Sequence, residues 1–236
     1  MAEWRIGRGW TEAELEDRLR RAAGLPLNFS LAQTEGTEPQ PGWNHYFSEA
    51  VLTREPPGAP LPNGPFARAK VGIENYEFSD PEIVTAHFDP SVPLLGRRML
   101  LEIKVWSLHF LCGVVVGAVR NEVRNGAATF GFRYDTLDGH IERGSEWFLL
   151  SKDLGSGEVR YRIEATWQPG QFPNWWSRLG FWLLAPLYQR EWHFRAQRRL
   201  FLIARYGSLE PPMPERGRLV HEGPDVIFRV RRVRRS

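Results

Sequence analysis

A chain of 236 residues, 42% hydrophobic and 25% charged, is ordinary in composition for a globular protein and long enough to bury a full core. That length favours one large domain, or one domain with an N-terminal elaboration, over two independent units. The formal net charge is +3, and the basic residues, nearly all arginine, are interleaved with acids, which leaves no strong nucleic-acid signal.

In chain order, Thr11 followed by Glu12 and Glu14 predicts a helix N-cap with an acidic first turn. Leu15, Leu19, Ala22 and Ala23 recur on one face of that helix, and Gly24 stops it. From Leu25 to Pro65 the chain is rich in Pro and Gly. It is read as ordered loops around a strand at Tyr46 to Leu52, held to the core by Trp43, Tyr46 and Phe47. Residues 1–65 are thus an N-terminal helix and wrap. The core proper is placed at 66–207, beginning with a strand over Ala67 to Phe78. Ser79-Asp80-Pro81-Glu82 then reads as the cap of a short helix running through His87, ended by Asp89-Pro90.

A run of strands follows. Met99, Leu101, Ile103 and Val105 alternate, as do Cys112, Val114, Val116 and Ala118, and Asn125-Gly126 is a strong hairpin signal. Phe130, Phe132 and Tyr134 continue the pattern beyond that turn, and Phe148 and Leu150 form the next strand. In the last strand Val159, Tyr161, Ile163, Ala165 and Trp167 face one way and Arg160, Arg162, Glu164 and Thr166 the other, as in an antiparallel sheet with one dry and one wet face. Pro173-Asn174 opens a long helix that reaches Tyr206 and is capped by Gly207, with Pro186 expected to kink it. On that helix Arg190, Glu191, Arg195, Arg198, Arg199 and Arg205 share one side, and Trp182, Gln189, His193, Ala196, Leu200 and Ile203 share the side that would lie on the sheet. Residues 208–236 form a basic tail, and Arg229 to Arg235 within it reads as a solvated terminus, with a weak electrostatic contact to nucleic acid or an anionic surface as the alternative.

Cys112, the single cysteine, cannot form an intrachain disulfide and reads as a small buried hydrophobe suited to a reducing cytoplasm. The first seven residues lack an apolar core of signal-peptide length. The windows Leu108 to Val119 and Leu179 to Leu187 are shorter than the ~20 residues of a spanning helix, so no transmembrane segment is predicted.

Chemistry is suggested by order in one place, the turn between Tyr134 and Phe148 that carries His140 and Glu142, with Glu146 beyond. An imidazole within reach of carboxylates can act as a general base, and the same residues can equally shape an ordered turn. One histidine among acids lacks the clustered nitrogen and sulfur ligands of a zinc site, so no metal is predicted. Gln189 and His193 are the second candidate, polar groups on an otherwise apolar helix face that need partners, either in the core or in a cavity. Trp175, Trp176, Trp182 and Trp192 suit either a core or a pocket wall. No Walker loop, dinucleotide fingerprint, nucleophile elbow or paired-cysteine motif is present, and no cofactor is predicted.

The order of strands closed by one long helix resembles the helix-grip architecture of the START and birch-pollen-allergen-like superfamily. Tyr134, Thr136, Leu137, Gly139, His140, Glu142, Gly144, Glu146 and Phe148 resemble a narrower signature, aromatic-Gly-Thr-Leu-x-Gly-His-Pro-Glu-x-Gly-Glu-Glu-x-Phe. It belongs to the domain-of-unknown-function family numbered nineteen-ninety, which is grouped with that superfamily. Leu25-Pro-Leu-Asn-Phe29 and Pro41-Gly-Trp43 are similar to its N-terminal pattern, so the likeness runs from about Leu25 to Tyr206. Asp135, Ile141 and Ser145 depart from the signature. The resemblance implies an α+β helix-grip fold, an antiparallel sheet of about seven strands wrapped on the C-terminal helix. It also implies a cavity between the two, the place where helix-grip proteins hold apolar molecules.

The function expected is therefore cytoplasmic binding of a small hydrophobic molecule or lipid, with Tyr134, Thr136, Tyr161, Ile163, Trp167, Trp182, Gln189 and His193 as cavity residues. An enzyme using His140 with Glu142 or Glu146 for proton transfer is the first alternative. An interaction module presenting the Trp-rich helix is the second.

Overall fold

Nine strands form one antiparallel sheet in the computed structural model, which describes residues 3–34, 41–170, 175–210 and 223–232, the side chains of 175–185 and 232 excepted. In chain order the elements are β1 (Glu3–Ile6), α1 (Glu12–Ala22), β2 (Asn44–Arg54), α2 (Pro65–Glu74), β3 (Val84–His87), β4 (Arg98–Val105), β5 (Leu108–Arg124), β6 (Ala127–Thr136), β7 (Glu142–Asp153), β8 (Glu158–Pro169), α3 (Trp175–Tyr206) and β9 (Val226–Arg232). The sheet runs β3-β4-β5-β6-β7-β8-β2-β9, and β1 pairs with β5 over Leu108 to Leu111, beyond the point where β6 begins to pair. β4 through β8 are a meander of hairpins, and the helix α3 packs on the sheet together with α2. The protein is thus an α+β fold in which a C-terminal helix lies against an antiparallel sheet.

Several elements follow directly from local chemistry. Thr11 caps α1 with a complete capping box, its side chain accepting from the Glu14 backbone N–H while the Glu14 carboxylate accepts from the Thr11 backbone N–H. Asn125 and Gly126 take φ of 51° and 74° between β5 and β6, the left-handed pair that a two-residue hairpin demands. Gly207, with φ 71°, donates its N–H to the Ile203 carbonyl and ends α3. The opening at Pro173-Asn174 lies outside the described residues.

Four sequence expectations are corrected. Residues 67–78, read as a strand, hold α2: Gly64 caps it, Pro65 occupies the first turn, and Phe66, Ala69, Gly72 and Ile73 are buried at helical spacing while Val71 is exposed. The short helix expected through His87 is a turn followed by β3. There the Asp80 carboxylate accepts from the Glu82 N–H and the Ser79 hydroxyl donates to the Val84 carbonyl, which diverts the chain into pairing with β4. The sheet has nine strands and not about seven, because β1 and β9 add pairings that the sequence pattern does not announce. The basic stretch taken as a solvated terminus supplies β9. Arg229 and Arg231 are exposed, but the strand's backbone pairs with β2 and Phe228 packs on Tyr46 and His193 at 6.0 and 5.2 Å between ring centroids.

The core lies between the sheet and the two helices. Val159, Tyr161 and Ile163 of β8, Phe148 and Leu150 of β7 and Phe132 of β6 meet Ile73 of α2 and Ala196, Leu200 and Ala204 of α3. On the other face of β8, Arg160 and Arg162 pair with Glu49 of β2, as the alternation requires. Cys112 is a free, buried thiol in a smaller cluster with Phe110 and Ile141, and burial pushes it up to about 12. Among the described residues no helix is long and apolar enough to cross a membrane.

Candidate functional site

A cavity of about 550 Å³ lies between the sheet face and the stretch of α3 from Tyr188 to His193. That volume falls in the range typical of small-molecule sites. One wall is aliphatic and aromatic: Leu101, Ile103 and Val105 of β4, Leu108 and Phe110 of β5, and Ile83 before β3. They come together because alternate residues of neighbouring strands share a face. Ile6 and Trp106 line the same end and are largely exposed, so the cavity reaches solvent there.

The opposite corner is polar. Tyr134 of β6 stands directly across from Glu146 of β7, and its hydroxyl donates to the Glu146 carboxyl group. Glu142, four residues earlier on the same face of β7, accepts a 2.7 Å bond from the Gln189 side-chain amide of α3. Between the two carboxyls on that face sits Gly144. Its φ of 149° and the 2.0 Å from a built Cβ to the Thr166 carbonyl oxygen bar any side chain there, and the glycine itself lines the cavity.

His140 occupies the turn before β7. Its Nδ1 accepts a 2.9 Å bond from the Glu142 backbone N–H, so the neutral ring carries its proton on Nε2, which is buried without a partner. The imidazole is therefore oriented by the backbone and not by a carboxylate. Thr136 is a fastener: its hydroxyl accepts from the Gly144 N–H at 2.8 Å and lies 2.6 Å from the Asn28 side-chain oxygen. The Asn28 amide donates in turn to the Glu142 carbonyl at 2.9 Å. On α3, His193 Nδ1 and the Ser48 hydroxyl of β2 are 2.8 Å apart, and the Gln197 amide donates to the same hydroxyl at 3.1 Å.

Burial dominates the electrostatics. It pushes Glu142 up to about 8, helped by the neighbouring Glu146 charge and opposed by the Gln189 hydrogen bond. Burial likewise raises Glu146 to about 7 against the stabilising Tyr134 hydroxyl. Both histidines are pulled down by burial, His140 to about 4 and His193 to about 3, so both rings are neutral near pH 7. Among the described residues no lysine or arginine lines the cavity, and no group of three His, Cys, Asp or Glu side chains could hold a metal ion.

Of the residues singled out in the sequence, Tyr134, Thr136, His140, Glu142, Glu146, Trp167, Gln189, Trp192 and His193 line this cavity. Tyr161 and Ile163 share the sheet face but are sealed into the core, Tyr161 against Phe78. The Trp175, Trp176 and Trp182 side chains lie outside the described residues. Sequence reasoning missed the aliphatic wall of β4 and β5, although the alternation of Leu101, Ile103 and Val105 marks them as one face. It also missed Tyr46 and Tyr76. Ser48, the partner of His193, carries no sequence signal.

A family model described as "Domain of unknown function (DUF1990)" matches residues 30–199. "UPF0548 protein At2g17695" of Arabidopsis thaliana is 31% identical over 111 residues, 45% of this chain and 52% of that protein, so the chain spans about half the length of this curated relative. Among solved structures, "Crystal structure of Ara h 8.0201" is similar with a TM-score of 0.37 and 11% identity over 65% of this chain and 95% of that one. "Crystal structure of human STARD10" has the same TM-score of 0.37, with 8% identity over 81% of each chain. Likeness at that level carries no inference about ligand or activity.

Proposed function

Because the chain belongs to the DUF1990 family, whose description names no reaction, we propose from the cavity itself that the protein binds a small amphiphilic molecule or lipid between its sheet and its C-terminal helix. The carrying observation is a space of about 550 Å³ with an aliphatic wall at one end and a corner of hydrogen-bonding groups at the other. Two atoms in that corner, His140 Nε2 and Gln189 Oε1, are buried without partners. Leaving a buried polar atom unpaired costs about 1–3 kcal/mol, so a head group that bonds them recovers free energy on binding. A chain laid along Leu101, Ile103 and Phe110 gains roughly 25 cal/mol for each Å² of apolar surface removed from water. A reducing, cytoplasmic setting suits the free Cys112.

Titration with the fluorescent probe N-phenyl-1-naphthylamine tests this. Saturable binding at one site per chain is expected. Ala165→Phe, which fills the cavity from β8, should weaken it by at least about tenfold, or ~1.4 kcal/mol, while circular dichroism shows an unchanged fold. Absence of saturable binding by the folded protein overturns the proposal.

A second reading rests on the Tyr134–Glu146 pair. A buried carboxyl held at about 7 is matched to proton transfer near neutral pH. In that reading Glu146 is the proton-transfer group, Tyr134 holds its orientation, and neutral His140 offers a hydrogen bond to substrate. A molecule recovered intact from the cavity after long incubation counts against turnover, and a chemically altered one supports it.

A further inference from the structure

The polar corner of the cavity holds two carboxyl groups and, among the described residues, no lysine or arginine to pair with them. Glu142 and Glu146 face it from β7 with Gly144 between them in the strand. Two buried carboxylates elsewhere in the fold have cations: Glu55 meets Lys152 at 2.7 Å and Asp135 meets Arg133 at 2.9 Å. The partners of the two cavity carboxyls are neutral, a tyrosine hydroxyl and a glutamine amide. Gln189 Oε1 is buried and unbonded beside the carboxyl oxygens, while the unbonded groups able to donate include Nε2 of His140, a residue 2% exposed, and the Tyr76 hydroxyl. Tyr76, Tyr134 and Trp192 supply aromatic surface to the same space.

We infer that the missing counter-cation belongs to the ligand, and that the cavity is a site for an aliphatic amine whose ammonium group sits between Glu142 and Glu146 with its chain along the β4–β5 wall. This rests on the ligand-binding proposal above and adds the head-group class to it. Three features fit an ammonium and not an alcohol or an acid. Its three N–H donors match two carboxyls and Gln189 Oε1. A positive charge is attracted to aromatic faces when desolvated. An entering carboxylate would be a third acidic group in a corner that already opposes ionisation of two. The Nε2–H of His140 is satisfied by a hydroxyl or carbonyl oxygen next to the amine.

Displacement of N-phenyl-1-naphthylamine by dodecylamine, dodecanol and dodecanoate, each below its micelle concentration at pH 7, tests the inference. Dodecylamine is expected to displace the probe at least about tenfold more tightly than dodecanol, about 1.4 kcal/mol, with dodecanoate weakest. Glu142→Gln and Glu146→Gln, close in shape to the parent side chains, should each remove most of the preference for the amine over dodecanol. Should dodecanol or dodecanoate bind as tightly as the amine, or the doubly substituted protein keep the preference, the amine assignment is wrong and the cavity proposal stands. Failure of all three ligands and of the probe to bind overturns both.

Discussion

Lys152 has no exposed surface, and its ammonium donates to the Glu55 carboxylate at 2.7 Å and to the Ala59 carbonyl at 3.1 Å. Glu55 also accepts the backbone N–H groups of Phe66 and Leu61, which joins β7, the loop after β2 and the first turn of α2 at one carboxylate. A buried pair contributes little when compared with an apolar replacement, but removing one partner strands the other charge. Lys152→Met is therefore expected to destabilise the protein by about 3–5 kcal/mol in chemical denaturation. Lys152→Met combined with Glu55→Gln should cost less than the single lysine substitution, and a double variant as unstable as the single would refute that pairing. Ser48 is a smaller case of the same logic. Its hydroxyl serves both His193 and Gln197, so Ser48→Ala leaves two buried groups of α3 unpaired and should lower stability by about 1–3 kcal/mol.

At the scale of elements, β9 covers the edge of β2 with a strand whose exposed face carries Arg229 and Arg231. Charged side chains on an edge strand oppose further strand addition. Removal of residues 223–236 bares the β2 edge and frees Tyr46 and His193 from Phe228. The shortened protein is expected to self-associate by light scattering and to unfold at lower temperature, and a monomeric, equally stable product would show that β9 is dispensable.

The sequence made the meander from β4 to β8 legible because one face of each strand is dry and the other wet, as Tyr161 and Arg160 illustrate. It also made α3 legible, since Ala196, Leu200 and Ile203 recur with helical period. It misled at α2, where Ala67, Ala69, Val71 and Ile73 alternate as a strand would, while the buried set is Phe66, Ala69 and Ile73. Binary alternation among small residues does not separate the two periods. β1 and β9 were illegible because a short edge strand owes its existence to the partner's backbone and not to its own pattern. In the site, His140, Glu142 and Glu146 announced themselves by order along the chain. The aliphatic wall across from them did not, because which strands meet depends on register.

For the whole molecule, the buried titratable groups set a pH dependence. Glu142 and Glu146 have folded values of about 8 and about 7, raised from the ordinary 4.5, so the folded state holds more protons than the unfolded chain between about 4.5 and 8. Their contribution to stability is full below that window and is lost as pH rises through it. His140 and His193 are lowered to about 4 and about 3 from 6.5, so their contribution is present above 6.5 and lost as pH falls through their folded values. The two effects oppose one another between about 4.5 and 6.5, and above 6.5 the carboxyls act alone. Thermal unfolding is thus expected at a lower temperature at pH 8.5 than at pH 6.5, and Glu142→Gln with Glu146→Gln should flatten that slope. An unchanged slope in the doubly substituted protein would place the effect elsewhere.

Cys112 gives the molecule an internal clock. Its thiol is buried against Phe110 and Ile141 and held up near 12, so a disulfide reagent in solution reacts with it only during excursions that uncover this part of the sheet face. The rate of that reaction counts those excursions in the unmodified chain, with no engineered label. Since Cys112 stands beside Phe110 and Ile141, which also line the cavity, an occupant should slow the clock, and the extent of slowing would measure how tightly a bound molecule holds the sheet shut.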